Sequence, residues 1–150
     1  MGELLTLFTR ASKLLRSAAD EAMSPHGVRV GQNIILEALW QQDGLTPSEI
    51  ARRLDMATPT VVNTATRMEA AGLLTRRPDS ADARLVRLHL TARGRAIEGA
   101  VKRERDKLER RVTRTLTPLE RRNLHSALAK IIDALSPDDT KARPGSGRGR

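Results

Sequence analysis

The sequence contains no cysteine, and Phe8 and Trp40 are its only aromatic residues apart from three histidines. Without cysteine the chain has no disulfide, no thiolate nucleophile and no thiol-based redox sensor. Because aromatic side chains are so scarce, leucine, isoleucine, valine and alanine must build the hydrophobic core, and this favours helices over a β-sandwich. A length of 150 residues fits a single domain with a modest core.

Long apolar runs and enzyme motifs are also missing. No segment approaches the roughly 20 apolar residues of a membrane-spanning helix, and the N-terminus lacks a signal-peptide pattern, so we expect a cytoplasmic protein without a membrane partner. His26, His89 and His125 show no metal-ligand spacing. Because no serine elbow or phosphate loop occurs either, we predict neither an enzyme nor a cofactor or metal site. A metal site assembled from residues distant in the sequence stays the alternative.

Basic residues, by contrast, are in excess. The formal net charge is +9, and the sequence pI is about 11.2. A positive field attracts a polyanionic partner, which is either nucleic acid or an anionic membrane surface. The charge alone does not choose between them.

The sequence predicts two short helices joined by a tight turn near the centre of the chain. The first begins at Thr46-Pro47-Ser48-Glu49, where a hydroxyl cap, a proline and a glutamate satisfy the needs of a helix N-terminus. The second begins at Thr58-Pro59. Its inner face comprises Val61, Ala65 and Met68, with Val62 as a further candidate. Helices joined in this way are typical of a helix-turn-helix, whose second helix enters the major groove of DNA.

The solvent face of the second helix carries side chains that read base edges. Asparagine pairs with adenine, threonine bonds base edges or touches a thymine methyl group, and arginine reaches guanine or phosphate. The predicted base-reading residues are Thr58, Thr60, Asn63, Thr64 and Arg67.

A β-hairpin is predicted next, after the second helix stops near Ala71, because Gly72 suits the positive φ that a helix C-terminus requires. Its second strand alternates, with Val86, Leu88 and Leu90 expected inward and Arg87 and His89 outward. At the hairpin tip, Arg84, held by Asp82, has the reach and charge to enter a narrow minor groove. A solvated surface ion pair is the alternative. The residues expected to position the protein on the DNA backbone, mainly through phosphate groups, are Thr46, Arg52, Arg76, Arg77 and Arg87.

These residues resemble the MarR family of bacterial transcriptional regulators over residues 27–94. The family's hairpin pattern is matched by Arg76-Arg77-Pro78, Asp82-Ala83-Arg84, Leu90-Thr91 and Gly94. Many members carry a Thr-Arg pair in the second helix where this chain has Val62-Asn63. The identity of the target sequence is therefore not carried over from the family.

Helices flank the central module on both sides. Residues 3–22 form an amphipathic helix with a broad apolar face, which we expect a second copy of the chain to cover; packing within its own chain is the alternative. A helix from Val30 to Gln42 includes Trp40, expected in the core rather than as a stacking platform. A charged helix covers residues 92–115, and Thr117-Pro118-Leu119-Glu120 begins a last helix that runs to residue 135.

The resemblance implies a two-fold homodimer in which the first helix (3–22) and the last two helices (92–115 and 117–135) interlock, with residues 1–135 as one domain. It also implies a small, often aromatic effector bound near His26 and Trp40, and it makes repression the commoner outcome. Residues 136–150 lack apolar periodicity and are predicted to form a disordered basic tail. Its Arg143, Arg148 and Arg150 either contact phosphate or are inert.

The predicted fold is therefore mainly α with a small β-hairpin wing: a winged helix-turn-helix over residues 30–94, flanked by dimerisation helices. The predicted function is that of a homodimeric regulator of transcription that binds a pseudo-palindromic site in double-stranded DNA. Two alternatives stay open. One is a sequence-neutral architectural DNA-binding protein, and the other is a winged-helix module that binds proteins instead of DNA.

Overall fold

The computed structural model describes residues 2–136. Within them the fold is mainly α-helical with a two-stranded antiparallel sheet, as the sequence predicts. The elements are α1 (Gly2–Met23), α2 (Gln32–Gln41), α3 (Pro47–Leu54), α4 (Thr58–Ala70), β1 (Leu74–Pro78), β2 (Val86–Leu90), α5 (Ala92–Ala96), α6 (Glu98–Thr113) and α7 (Pro118–Leu135). The contacts divide the chain into two compact units; the first ends at Arg114 and the second begins at Thr115.

The capping box predicted for α3 is present. The Thr46 hydroxyl oxygen accepts a hydrogen bond from the Glu49 backbone N–H at 3.2 Å, and the Glu49 carboxylate accepts one from the Thr46 N–H at 3.1 Å. Two N–H groups that lack a helical partner are thus satisfied reciprocally. Ile50 and Ala51 are buried, while Arg52 and Arg53 face solvent.

The second helix of the pair, α4, begins at Thr58 after Ala57, without a side-chain cap. Val61, Ala65 and Met68 are fully buried, as predicted. The prediction of an inner position for Val62 is wrong, since its side chain is 37% exposed. Each helical residue turns by about 100°, and this step carries Val62 off the stripe that Val61 and Ala65 form.

The end of α4 lies where the sequence predicts it. Gly72 has a φ of 76°. Its N–H donates to the Glu69 carbonyl, and the Leu73 N–H donates to the Met68 carbonyl, both at 3.0 Å. This is the paired arrangement of a Schellman motif, which turns the chain directly from the helix into β1.

The hairpin pairs Leu74 with Leu90 and Pro78 with Val86 at its two ends. Leu88 and Leu90 are buried as expected, but Val86 is 40% exposed, so its predicted inward position is wrong. Alternation places a residue in the core only where core lies beneath the strand. Val86 lies at the distal end of the hairpin, beyond the helices that cover Leu88 and Leu90.

Gly94, a residue of α5, lies against the start of the hairpin and against α2. A Cβ at this position would lie 2.1 Å from the Leu73 carbonyl oxygen, so that no other residue fits without a backbone shift. The Trp40 indole N–H donates to the Gly94 carbonyl at 2.9 Å, and its ring packs against the core. Trp40 is therefore a packing residue, as predicted.

The charged segment after the hairpin is not one continuous helix. Two helices, α5 and α6, meet at Ile97, whose ψ is −5°. Thr91 caps α5 through its hydroxyl oxygen, which accepts from the Gly94 N–H at 3.0 Å. Arg105 interrupts the apolar seam of α6, and its Nη1 lies 2.7 Å from the Glu37 carboxylate of α2.

The second unit contains α7, which begins with the predicted capping box of Thr117 and Glu120. Residues 137–150 of the expected tail, with their three arginines, lie outside the described part of the chain. Among the helices that are described, none combines the length and the apolar character that crossing a membrane requires.

Candidate nucleic-acid interface

The solvent face of α4 presents most of the predicted base-reading residues. Thr58, Thr60, Asn63 and Arg67 are exposed, and Thr64 is half-buried. The buried stripe on the opposite face packs against α2 and α3, so these side chains point away from the core. The fold thus brings the predicted residues together on one short, rigid element.

A cavity of about 560 Å³ lies between α3, the first turns of α4 and the hairpin. We call it the α4–wing groove. Of the predicted residues it brings together Thr46, Arg52, Thr58, Arg76 and Arg84. Its other walls include Val62, Leu85 and Val86, all partly exposed. The sequence pattern predicts an inward position for Val86 and makes Val62 a candidate for the inner face, and it assigns no role to Leu85.

A second cavity, of about 550 Å³, lies on the other side of α4. Thr64 and Arg67 line it together with Lys13 and Arg16 of α1 and with Arg29. The predicted readers are therefore divided between two sides of the helix. Arg29 is paired with Asp20 at 3.1 Å, so one of the cations in this cavity is already neutralised.

Arg84 extends from the hairpin tip, where its side chain is 89% exposed. The Asp82 carboxylate accepts from Arg84 Nε at 3.0 Å, from its Nη2 at 3.2 Å and from its backbone N–H at 3.1 Å. The Arg84 guanidinium and N–H hold the pKa of Asp82 below its usual range. The predicted contact between Asp82 and Arg84 is thus present; the same contact would also form in a solvated surface ion pair.

Arg87 is half-buried and is held by three neighbouring groups. Its Nη1 donates to the Gly44 carbonyl at 2.9 Å, its Nε bonds the Asp79 carboxylate, and Glu49 lies 4.0 Å away. The hydrogen bond between Arg87 and Asp79 raises the pKa of the Arg87 guanidinium. The same bond, together with the backbone N–H groups of Asp82 and Ala81, lowers the pKa of Asp79. These contacts fasten the hairpin to the start of α3.

Arg76 is held in a similar way by α4. Its Nη2 donates to the Val62 carbonyl at 3.0 Å and bonds the Thr66 hydroxyl, while its backbone N–H donates to the Glu69 carboxylate at 3.0 Å. Arg76 is nevertheless exposed, as are Arg77 and Arg52. Thr46 is only 8% exposed, and its hydroxyl is used in the α3 cap.

The two residues predicted to contact an effector have intramolecular neighbours. His26 Nε2 lies 3.6 Å from the Glu104 carboxylate, and Lys102 Nζ lies 5.9 Å from the centre of the Trp40 ring. Neither residue lines the two cavities described above. Among residues 2–136 there is also no group of three or more histidine, aspartate or glutamate side chains placed to hold a metal ion.

A family model and a relative of known function point to the same class of protein. A family model described as MarR family matches residues 31–86. The HTH-type transcriptional repressor Rv2887 of Mycobacterium tuberculosis is 32% identical over 126 residues, which are 83% of this chain and 90% of that protein.

Solved structures share the fold. The S. aureus MepR–DNA complex superposes with a TM-score of 0.79 at 29% identity, covering 87% of this chain and 96% of MepR. CouR of Rhodococcus jostii RHA1, bound to p-coumaroyl-CoA, gives a TM-score of 0.71 at 22% identity over 83% of this chain and 88% of its own.

Proposed function

Because the chain belongs to the MarR family of helix-turn-helix transcriptional regulators, we propose that it is a homodimeric, sequence-specific DNA-binding repressor. The observation that carries this proposal is the shared exposure of Asn63 on α4 and Arg84 at the hairpin tip, on two elements that Arg76 links. The protein would act in the cytoplasm by binding alone, without catalysis and without a cofactor.

In this proposal α4 enters the major groove and the hairpin follows the sugar-phosphate backbone to a flanking minor groove. The base readers are Thr58, Thr60, Asn63, Thr64 and Arg67. Arg84, oriented by Asp82, enters the minor groove, and Arg52 and Arg77 bind phosphate. We assign Thr46, Arg76 and Arg87 to holding these elements in place, because their side chains are engaged within the protein.

The homodimer is proposed from the apolar surface of α1. Leu4, Leu5, Leu7 and Leu14 are between 57% and 75% exposed. A soluble monomer rarely leaves a contiguous surface of this kind in water. Leu124, Ile131 and Leu135 of α7 are also exposed, and residues 1–135 would then act as one domain whose end helices pair with those of a second copy.

Regulation by a small molecule is proposed on the likeness to CouR, whose structure contains p-coumaroyl-CoA. An aromatic effector near His26 and Trp40 would act by binding more tightly to a form with a different reader-helix separation. The test is to add p-coumaroyl-CoA to the protein–DNA complex and measure the affinity for DNA. We expect the affinity of the wild type to fall and that of His26→Ala to stay unchanged.

The test of the main proposal is selection of bound duplexes from a random pool. We expect enrichment of a pseudo-palindrome with half-sites about one helical turn, or about 10 bp, apart. Enrichment of no motif, with tight binding to every duplex, would favour the architectural alternative. Absence of DNA binding at low salt would favour a protein-binding module.

A further inference from the structure

Val62 is a large aliphatic residue of α4 whose side chain is exposed to solvent. Its side chain is 37% exposed, whereas Val61 and Met68 on the same helix are 0% exposed. An isolated exposed valine is unremarkable in itself. Its position is what carries the inference, because it lines the α4–wing groove four residues after Thr58, one turn along the helix.

The backbone at Val62 is fixed by neighbouring side chains. Its carbonyl oxygen accepts from Arg76 Nη2 at 3.0 Å and from the Thr66 hydroxyl at 3.0 Å. A valine is also restricted at χ1, because two methyl groups branch from Cβ. The two methyl groups are therefore presented as a rigid apolar surface that loses little entropy on contact.

The surroundings of this apolar surface are positively charged. Arg52, Arg76 and Arg84 line the same groove with a single carboxylate, that of Glu49, so arginines outnumber carboxylates three to one there. The whole chain carries a formal charge of +9. Charge complementarity therefore commits the groove to a polyanion. On the floor of a DNA major groove, the apolar group that a base pair presents is the 5-methyl group of thymine.

We propose that Val62 is a specificity-determining residue that contacts the 5-methyl group of one thymine in each half-site. This inference rests on the proposed function, since it requires α4 to lie in the major groove. It adds a reader that works by apolar contact to the polar readers, and it assigns a role to a side chain that the sequence pattern gave only as a candidate for the inner face.

The experiment replaces single thymines of the selected duplex by deoxyuridine, which removes only the methyl group. For the wild-type protein, we expect one substitution per half-site to weaken binding about fourfold, the factor that corresponds to the free energy of burying one methyl group. Val62→Ala should bind the thymine and deoxyuridine duplexes equally at that position. Its response to every other substitution should match that of the wild type.

Val86→Ala provides the matched control. Val86 is an exposed valine of the same groove, but it lies on the hairpin. This variant should keep the wild-type deoxyuridine profile. Because Val62 is exposed and alanine is the better helix former, Val62→Ala should remain folded, and circular dichroism checks this.

Two outcomes would overturn the inference while leaving the proposed function standing. In the first, the selected duplex binds specifically and no thymine is sensitive to loss of its methyl group. In the second, Val62→Ala retains the wild-type sensitivity. Failure to select any specific duplex would instead overturn the proposed function itself, and the inference with it.

Discussion

Arg76 donates a hydrogen bond from Nη2 to the Val62 carbonyl oxygen, 3.0 Å away, and so joins the first hairpin strand to the middle of α4. The Arg76 backbone N–H, which donates to the Glu69 carboxylate, adds a second link between the same two elements. Wing and helix are thereby fixed to each other. In the proposed complex this linkage would let α4 contact the major groove and the hairpin contact the minor groove in one fixed geometry.

Adjacent arginines should therefore behave differently when removed. Arg76→Ala should weaken binding to the selected duplex about tenfold, as expected for a lost charge-assisted hydrogen bond, and should reduce the salt dependence less than Arg77→Ala does. Arg77→Ala should weaken all duplexes alike and reduce the slope of log K against log salt by about one. Titrations at several salt concentrations measure both. An equal fall in slope for Arg76→Ala would assign it to phosphate instead.

Removal of Arg84 should matter only where a flanking minor groove exists. On a long duplex, Arg84→Ala should bind about tenfold more weakly than the wild type, because the enhanced negative potential of a narrow groove is no longer used. On a duplex shortened to the two major-groove half-sites, the two proteins should bind alike. A defect that is independent of duplex length would show that Arg84 does not act in the flanks.

Asn63 should discriminate an adenine in each half-site. Asn63→Ala should lose about 1–3 kcal/mol on the selected duplex and relax the preference at that one position. Replacing the adenine by 7-deaza-adenine removes the N7 acceptor alone and should weaken the wild type but not the variant. If Asn63→Ala weakened every duplex to the same degree, Asn63 would be a backbone contact.

Stability should fall in acid partly through Asp43. Partial burial opposes its ionisation, but hydrogen bonds from the Leu90 N–H, the Arg95 guanidinium and the Gly44 N–H outweigh this and lower its pKa below the ordinary 3.8. A carboxylate whose pKa is lower in the folded state than in the unfolded state stabilises the fold at pH values above the unfolded-state pKa. This stabilisation is lost as the pH falls through the folded-state pKa. We therefore expect the free energy of unfolding to drop below about pH 4.

Asp43→Asn tests this assignment. The variant should be less stable than the wild type at pH 7, and the difference should shrink as the pH is lowered below about 4. Denaturant unfolding at a series of pH values measures the difference. A gap that stays constant from neutral to acid pH would mean that the Asp43 charge does not contribute.

The apolar face of α1 should control the oligomeric state. Leu4→Glu combined with Leu14→Glu places two charges on side chains that are 75% and 61% exposed, so the fold of the single chain should survive. Sedimentation should find a dimer for the wild type and a monomer for the variant. A wild-type monomer would remove the basis for a two-fold symmetric binding site.

Much of the fold follows from local signals in the sequence. The two T-P-x-E segments locate the starts of α3 and α7 because a capping box is made by residues three apart. The roles of Arg76 and Arg87 were not predictable, since their partners at Val62 and Gly44 lie 14 and 43 residues away. Val62 and Val86 were misplaced because hydrophobicity alone does not show where the core ends.

The most direct test of the account is the ratio of two dissociation constants measured at one salt concentration, for the selected duplex and for a scrambled duplex of equal length. Sequence-specific binding by α4 and the wing predicts a ratio of about 1000 or more. A ratio near one would contradict the account, since it would mean that the protein binds the charge of DNA and not its sequence.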